Sequence, residues 1–396
     1  MKNNELRKKG IGTLLLSLLL FFISIQSSAQ FTLRIELVSI PSKHLNDSIY
    51  VAGNFNRWQP AETGYLFFKD NDKIIVEMKN LPPDIYQFKF TRGDWKRVEA
   101  SIDGNDVGNK IVKLTADTIV RYEIAAWKDD FLPVPKEHTA SNQVHILDTA
   151  FYIPQLNRTR RIWIYLPEDY SKNKKSYPVM YMHDGQNLFD TYTSGFGEWG
   201  VDECLDSLIK TGRTACIVVG IDNGPQRFNE YNPYNFQQFG KGEGDQYLDF
   251  LVQTLKPFID RQYRTMPSKE NTIIAGSSMG GLISYYAMLQ YSGVFGKAGI
   301  FSPAFWTAPE IKVATSGLAN KLNGKFFFYM GELEGGKYIT DMQEVQEILG
   351  EKSNAMIYSV IDPESSHNEL AWRKWFAEFY KWIMADGFNN VVKTKE

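Results

Sequence analysis

The sequence predicts two folded units in series, an all-β sandwich and then an α/β unit whose mainly parallel sheet is covered by helices on both faces. Three observations lead there. Residues 30–127 alternate short strand-like runs with Gly, Asn and Pro turns and show no long helical pattern. Residues 143–390 alternate β-branched or aromatic runs with helical patterns, which is how a sheet buried on both faces reads. Residues 128–142, with Pro133, Pro135 and several charges, read as an extended spacer that few contacts should cross.

A targeting segment precedes both units. Lys2, Arg7, Lys8 and Lys9 stand ahead of the apolar stretch Ile11 to Ile25, and Ser27-Ser28-Ala29 supplies the small residues that a signal peptidase needs. The apolar run is short for a bilayer span, so residues 1–29 read as a cleaved export signal, to the periplasm or beyond. Cleavage removes four basic groups and one acidic group, taking the formal net charge from −2 to −5. With no basic stripe, a nucleic-acid partner is not expected, and after cleavage no membrane attachment is expected either. Cys204, on a predicted helix, and Cys216, opening a predicted strand, read as buried free thiols, with a disulfide left open by the export compartment.

In the first unit, strands are expected at Thr32 to Ser39, Ser48 to Ala52, Lys73 to Met78, Tyr86 to Arg92 and Thr118 to Ala125. In the second they are expected near 143–152, 160–166, 177–182, 215–221, 271–276, 297–301, 325–330 and 355–361, with helices between most of them.

The run Ile273-Ile274-Ala275-Gly276-Ser277-Ser278-Met279-Gly280-Gly281 breaks a β-branched strand at Gly-x-Ser-x-Gly and passes at once into a helical pattern. Small residues around a serine between strand and helix permit a strained turn that holds the hydroxyl clear of the sheet, as a nucleophile requires. The base that such a serine needs is His367, the one histidine after Ser278, in a polar loop between the last strand and the aromatic helix of Trp372, Trp375 and Phe376. For the orienting acid, the strand Lys325 to Met330 opens into Gly331-Glu332-Leu333-Glu334-Gly335-Gly336 at the sheet's carboxyl edge. Glu334 is selected because Glu332 abuts the strand directly, whereas Glu334 sits among glycines in a loop able to fold toward His367; Glu332 and Asp341 remain competitors.

The oxyanion donors are expected to be the backbone N–H groups of Met279, just after the nucleophile, and Gln186, in the loop His183 to Asp190 after an early strand. His183 precedes the serine and ends a strand, so it reads as a packed, hydrogen-bonded histidine. No zinc-type cluster of His and Cys occurs, and neither a metal nor an organic cofactor is expected. The segments Asn187 to Val201 and Asp222 to Tyr234, rich in aromatics and amides, are expected to rim the cleft, with Trp199, Arg227, Glu230 and Trp306 as candidate substrate contacts.

With these residues in view, the stretch from Ile273 to Trp306, together with Arg161 to Pro167, His183-Asp184-Gly185 and Phe250 to Arg264, resembles the putative esterase family (esterase D and enterochelin esterase-like), which includes carbohydrate esterase family 1 and the mycolyltransferases. The likeness runs from about Phe151 to Ile383 and implies an α/β-hydrolase fold with a Ser/acid/His triad at Ser278, Glu334 and His367. Many members carry Asp in the acid loop, a departure here. Tyr50 to Pro60 and Phe88 to Glu99 resemble the starch-binding families of carbohydrate-binding module, an immunoglobulin-like sandwich. That likeness implies Trp95 and Trp58 stacked on sugar rings, against the plainer reading of both as packing residues. Together the resemblances imply an exported serine esterase that removes acetyl or feruloyl groups from polysaccharide. The alternatives are a periplasmic esterase for siderophore trilactones and a carbohydrate-binding protein whose esterase domain is secondary or inactive.

Overall fold

A computed structural model describes residues 29–385, so the expected signal segment, apart from Ala29, lies outside the described residues. The first unit packs β1 (Phe31–Ser39), β2 (Tyr50–Gly53), β3 (Phe68–Asp70), β4 (Lys73–Leu81), β5 (Asp84–Thr91), β6 (Glu99–Ala100), β7 (Lys110–Leu114), β8 (Thr118–Glu123) and β9 (Ala126–Trp127). One sheet has the order β3-β4-β1-β8, a second β2-β5-β7, and β6 pairs with β9. Period-two alternation puts Leu33, Ile35 and Leu37 of β1 inward against Phe88, Phe90 and Trp127. The short, charge-flanked β3 and β7 were not expected from sequence, and the run expected at Thr118 to Ala125 stops at Glu123 before β9 begins.

The second unit contains β10 (Val144–Ile153), β11 (Arg158–Tyr165), β12 (Val179–His183), β13 (Ile217–Ile221), β14 (Thr272–Ser277), β15 (Lys297–Phe301), β16 (Lys325–Gly331) and β17 (Met356–Asp362) in one sheet of order β10-β11-β13-β12-β14-β15-β16-β17. Strands from β13 to β17 run parallel, while β10 and β11 are antiparallel additions at one edge. Its helices are α1 (Val201–Lys210), α2 (Arg227–Glu230), α3 (Gly244–Asp249), α4 (Lys256–Gln262), α5 (Met279–Gln290), α6 (Ile311–Leu318), α7 (Gly336–Lys352) and α8 (Glu369–Met384). A π-helical segment, Phe250–Leu255, joins α3 to α4. The unbroken apolar strands feed two cores. On β16, Phe326 and Phe328 enter the core beneath α5, whereas Phe327 and Tyr329 enter the core beneath α8.

The extended spacer makes several contacts with the second unit. His138 Nδ1 lies 2.7 Å from Asp190 Oδ2, Thr139 N–H donates to Asp190 at 3.0 Å, and Ser141 N–H donates to Asp202 at 2.7 Å. Contacts also join the two units directly. Gln87 Nε2 donates to the Leu333 carbonyl, Gly336 N–H donates to Asp84 at 2.7 Å, and Arg57 donates to Gln238 at 3.2 Å. Strand β5 therefore lies against the loop that was expected to carry the acid.

Candidate active site

The carboxyl ends of the parallel strands assemble the site, as open α/β sheets generally do. Strand β14 delivers Ser278, β15 delivers Ser302, β16 leads to Glu334, and the loop after β17 carries His367. Ser278 has φ 57° and ψ −121°, a conformation that strains any residue with a side chain. Its N–H donates to the Phe301 carbonyl at 2.9 Å and its carbonyl accepts from Ala304 N–H at 3.0 Å, so the end of β15 and the loop after it hold the turn. Glycine is required around it by close approach. A Cβ on Gly276 would sit 3.0 Å from the Gly280 carbonyl carbon, and one on Gly281 would sit 2.8 Å from the Phe301 carbonyl oxygen.

Glu334, on a single 3-10 turn (Glu332–Glu334), is buried at 5% exposure. One carboxylate oxygen accepts from Ser302 Oγ at 2.6 Å and from Gly331 N–H at 2.9 Å; the other lies 2.6 Å from His367 Nδ1. The competitors are elsewhere. Glu332 is exposed, and Asp341 is ion-paired with Lys312 at 2.8 Å. Asp362 is also committed: burial alone would raise its pKa, but hydrogen bonds from Lys374, Ser365 and Trp375 hold it down at about 2.

His367 opens onto solvent with its side chain 40% exposed. Its desolvation would lower the pKa, but the charge and hydrogen bond of Glu334 more than offset this and hold it above the ordinary value of 6.5. With Nδ1 engaged by the carboxylate, Nε2 is the nitrogen left for a proton acceptor's work.

Met279 is the first residue of α5 and Gln186 lies within a single 3-10 turn, Gly185–Asn187, so both N–H groups stand where a helix offers them no acceptor. The Gln186 side chain accepts from Asn223 N–H at 3.1 Å and its carbonyl accepts from Thr193 at 2.8 Å, which fixes the turn. His183 is 1% exposed, lies 2.9 Å from the Tyr247 hydroxyl through Nδ1, and is pushed down to about 3 by burial, as a packed neutral histidine should be.

Ser278 and His367 face two cavities that meet at them. One, of about 400 Å³, is lined by Trp58, Trp95, Phe228, Phe239 and Trp306 among others. The other, of about 870 Å³, is lined by Lys89, Asn109, Asn223, Arg227 and Asn368 among others. Both draw residues from the first unit. Trp58 and Trp95 thus reach the cleft beside the serine, their rings 6.2 Å apart and tilted by 43°. Arg57 and Trp58 both hold left-handed backbone, φ 55° and 60°, a costly conformation for two large residues in succession.

The expected substrate contacts differ in how far they open to the cleft. Trp199 lines the larger cavity, yet it is 2% exposed and packs on Phe301 and Trp372, because the aromatic core beneath α8 continues up to the cleft wall. Glu230 is fully buried between Arg158 and Arg160. Arg227 does reach the larger cavity, but its guanidinium is spent on Asp184 at 2.7 and 2.8 Å. Trp306 lines the smaller cavity. Sequence reasoning missed Ser302, whose role depends on β15 lying beside β16, and Trp372, whose Nε1 donates to Ser302 at 2.9 Å. Glu369 was also missed. Burial pushes its carboxyl up to about 7 close to His367, and no motif marks it.

A serine on a strained elbow with a histidine-carboxylate pair in the same cleft defines a serine hydrolase of the α/β class. Comparison with known proteins agrees: the family model described as "Esterase: Putative esterase" matches residues 153–380, and the chain belongs to that family of carboxylic ester hydrolases. Among relatives, Uncharacterized protein YbbA of Bacillus subtilis is 26% identical over 219 residues, 53% of this chain and 82% of that protein. An endo-1,4-beta-xylanase/feruloyl esterase of Xylanibacter ruminicola is 26% identical over 256 residues, 64% of this chain but only 32% of that longer protein. The enterobactin esterase FES of Shigella flexneri shares the fold with a TM-score of 0.50 at 16% identity, over 85% of this chain and 88% of that one.

Two outcomes are expected from point variants. Glu334→Gln should lower kcat on a nitrophenyl ester by on the order of 10²–10⁴, whereas Glu332→Gln and Asp341→Asn should leave it nearly unchanged. The acid limb of kcat/KM should lie above pH 6.5, because Glu334 favours protonated His367 and the base works only when neutral. Glu334→Gln removes that charge and should move the limb to lower pH; a limb that stays in place would separate Glu334 from the titrating base.

A third concerns the first unit. Because β5 supports the loop carrying Glu334, a chain beginning near Ser141 should turn over a small soluble ester roughly ten- to a hundredfold more slowly, the cost of a slightly misplaced acid. Full kcat in the shortened chain would show that the acid loop keeps its geometry unaided.

Proposed function

We propose that the protein is an exported serine esterase that cleaves acyl groups, feruloyl or acetyl, from polysaccharide through Ser278, His367 and Glu334. His367 Nε2 takes the Ser278 proton as Oγ attacks the ester carbonyl, and the N–H groups of Met279 and Gln186 receive the developing oxyanion. Glu334 holds the imidazole in the needed tautomer and stabilises it once charged. His367 then returns the proton to the leaving alcohol, and water repeats the sequence on the acyl-enzyme. The basic and apolar amino-terminal stretch supports export, and no step needs a metal or cofactor.

The observation that carries the substrate reading is the cleft between the two units, where the proposed nucleophile shares its walls with Trp58, Trp95 and Trp306. Flat aromatic faces suit the C–H faces of sugar rings as well as a phenolic acyl group, and the xylanase/feruloyl esterase relative supports the same substrate class. Ferric catecholate trilactones are strongly anionic, whereas the smaller cavity holds one Arg or Lys, Arg57, already bonded to Gln238, and the larger cavity holds Lys89 and an Arg227 already paired with Asp184. Polysaccharide is therefore the preferred substrate class. A purely carbohydrate-binding role is disfavoured by membership of an esterase family and by the intact histidine-carboxylate pair.

Trp95→Ala should raise KM for a feruloylated xylo-oligosaccharide by roughly tenfold, the worth of one stacked aromatic, and leave KM for methyl ferulate unchanged. Equal KM effects on both esters would place Trp95 against the acyl group. Faster hydrolysis of a ferric trilactone than of feruloylated oligosaccharide by the unaltered protein would refute the polysaccharide reading.

A further inference from the structure

Beyond the cleft, where the loop after the Gln186 turn enters α1, three carboxylates converge: Glu198, Asp202 and Glu203. Their ligating oxygens all lie within 4.8 Å of one another. Glu198 is 5% exposed and Asp202 fully buried. Known partners satisfy one oxygen of each: Glu198 Oε2 accepts from Thr139 and Thr191 at 2.9 and 2.6 Å, and Asp202 Oδ2 accepts from Ser141 N–H at 2.7 Å. The opposite oxygens, Glu198 Oε1 and Asp202 Oδ1, are buried without a hydrogen-bond partner, as are Glu203 Oε2 and the Ser141 hydroxyl. Buried, unpaired carboxylate oxygens are expensive and rare.

The helix end explains only part of this. Asp202 and Glu203 occupy the first turn of α1, where the helix dipole favours negative charge. Glu198 precedes the helix and is held by Thr191 of its own loop and Thr139 of the spacer, so the dipole does not account for its position. No Lys, Arg or His forms an ion pair with any of the three among the described residues.

We propose that Glu198, Asp202 and Glu203 form a structural site for a hard divalent cation, calcium above all, which fastens the spacer to the loop ahead of α1. The donor set is oxygen alone, with three carboxylates and the Ser141 hydroxyl, and water completes the coordination. Calcium accepts six to eight oxygens at about 2.3–2.6 Å, so ligand oxygens up to roughly 5 Å apart can share one ion, a spacing that the cluster meets. Such an ion replaces mutual repulsion by attraction and ties Thr139 and Ser141 of the spacer to Trp199, which packs on Trp372 beneath the acid-histidine pair. Its role is to hold the wall of the cleft, and it takes no part in the ester chemistry.

The rival arrangement is a proton shared between Asp202 and Glu203 with no ion. Calorimetric titration of the EDTA-treated mature chain with calcium chloride at pH 8, together with thermal unfolding in EDTA and in millimolar calcium, separates the two. The expected result is one calcium per chain, a higher Tm in calcium, and terbium luminescence excited through Trp199 that calcium abolishes. Glu198→Gln and Asp202→Asn should each weaken calcium binding at least about tenfold. Should Asp202→Asn fold poorly, Glu198→Gln and the binding measurement on the unaltered chain still decide. No calcium uptake with equal Tm in both media, or an Asp202→Asn variant stabilised equally with and without calcium, would overturn the site in favour of the shared proton.

Discussion

The carboxylate of Glu334 is the constraint on which the rest of the site depends. It sits at the end of a strand buried along its whole length, so its backbone cannot drift without disturbing both cores. Ser302 and the Gly331 N–H fix one oxygen, and the other is thereby aimed at His367 Nδ1. Ser302 is itself held by Trp372 of α8, so β15, β16 and α8 jointly define the orientation of one buried charge. The same charge raises the pKa of His367 and engages its Nδ1, which leaves Nε2 of a solvent-facing imidazole for the proposed base.

The turn at Ser278, the proposed nucleophile, is strained, and its surroundings make the strain tolerable. A non-glycine residue in such backbone costs about 1–3 kcal/mol. Against that, α5 is buried from Met279 to Leu289, and each large apolar side chain placed in a core is worth about 1.5–3 kcal/mol. Anchoring through Phe301 and Ala304 then holds in place the strained residue whose hydroxyl must project from the sheet.

What the sequence made legible follows from local chemistry. Strands buried on both faces leave long apolar runs, and every expected strand of the second unit appears within a few residues of its place. The Ser278 elbow and the lone downstream histidine are equally local signals. The choice among Glu332, Glu334 and Asp341 rested on loop position, and the side-chain contacts now distinguish them. The missed features are tertiary. Ser302 matters because of strand order, Glu230 is buried because two arginines of β11 reach it, and Trp199 joins a core built by α8. Charges and prolines in 128–142 suggested an extended spacer, and what composition could not show is that His138, Thr139 and Ser141 find partners on the loop before α1 and on its first turn.

The placement of the first unit changes how the two units divide the work. Every group proposed to touch the reacting atoms belongs to the second unit, whereas both cavities that meet at Ser278 borrow walls from the first. Binding to a distant surface would only raise local substrate concentration, whereas under the proposed function Trp58 and Trp95, lining the cleft beside Ser278, would contact the substrate while its ester is being cleaved. Two consecutive left-handed residues, Arg57 and Trp58, hold that wall in a conformation that neither would adopt freely. The contacts that seat β5 and the Asn54–Trp58 turn against the loop of Glu334 therefore also position the aromatic wall that the proposed function assigns to the alcohol side of the ester.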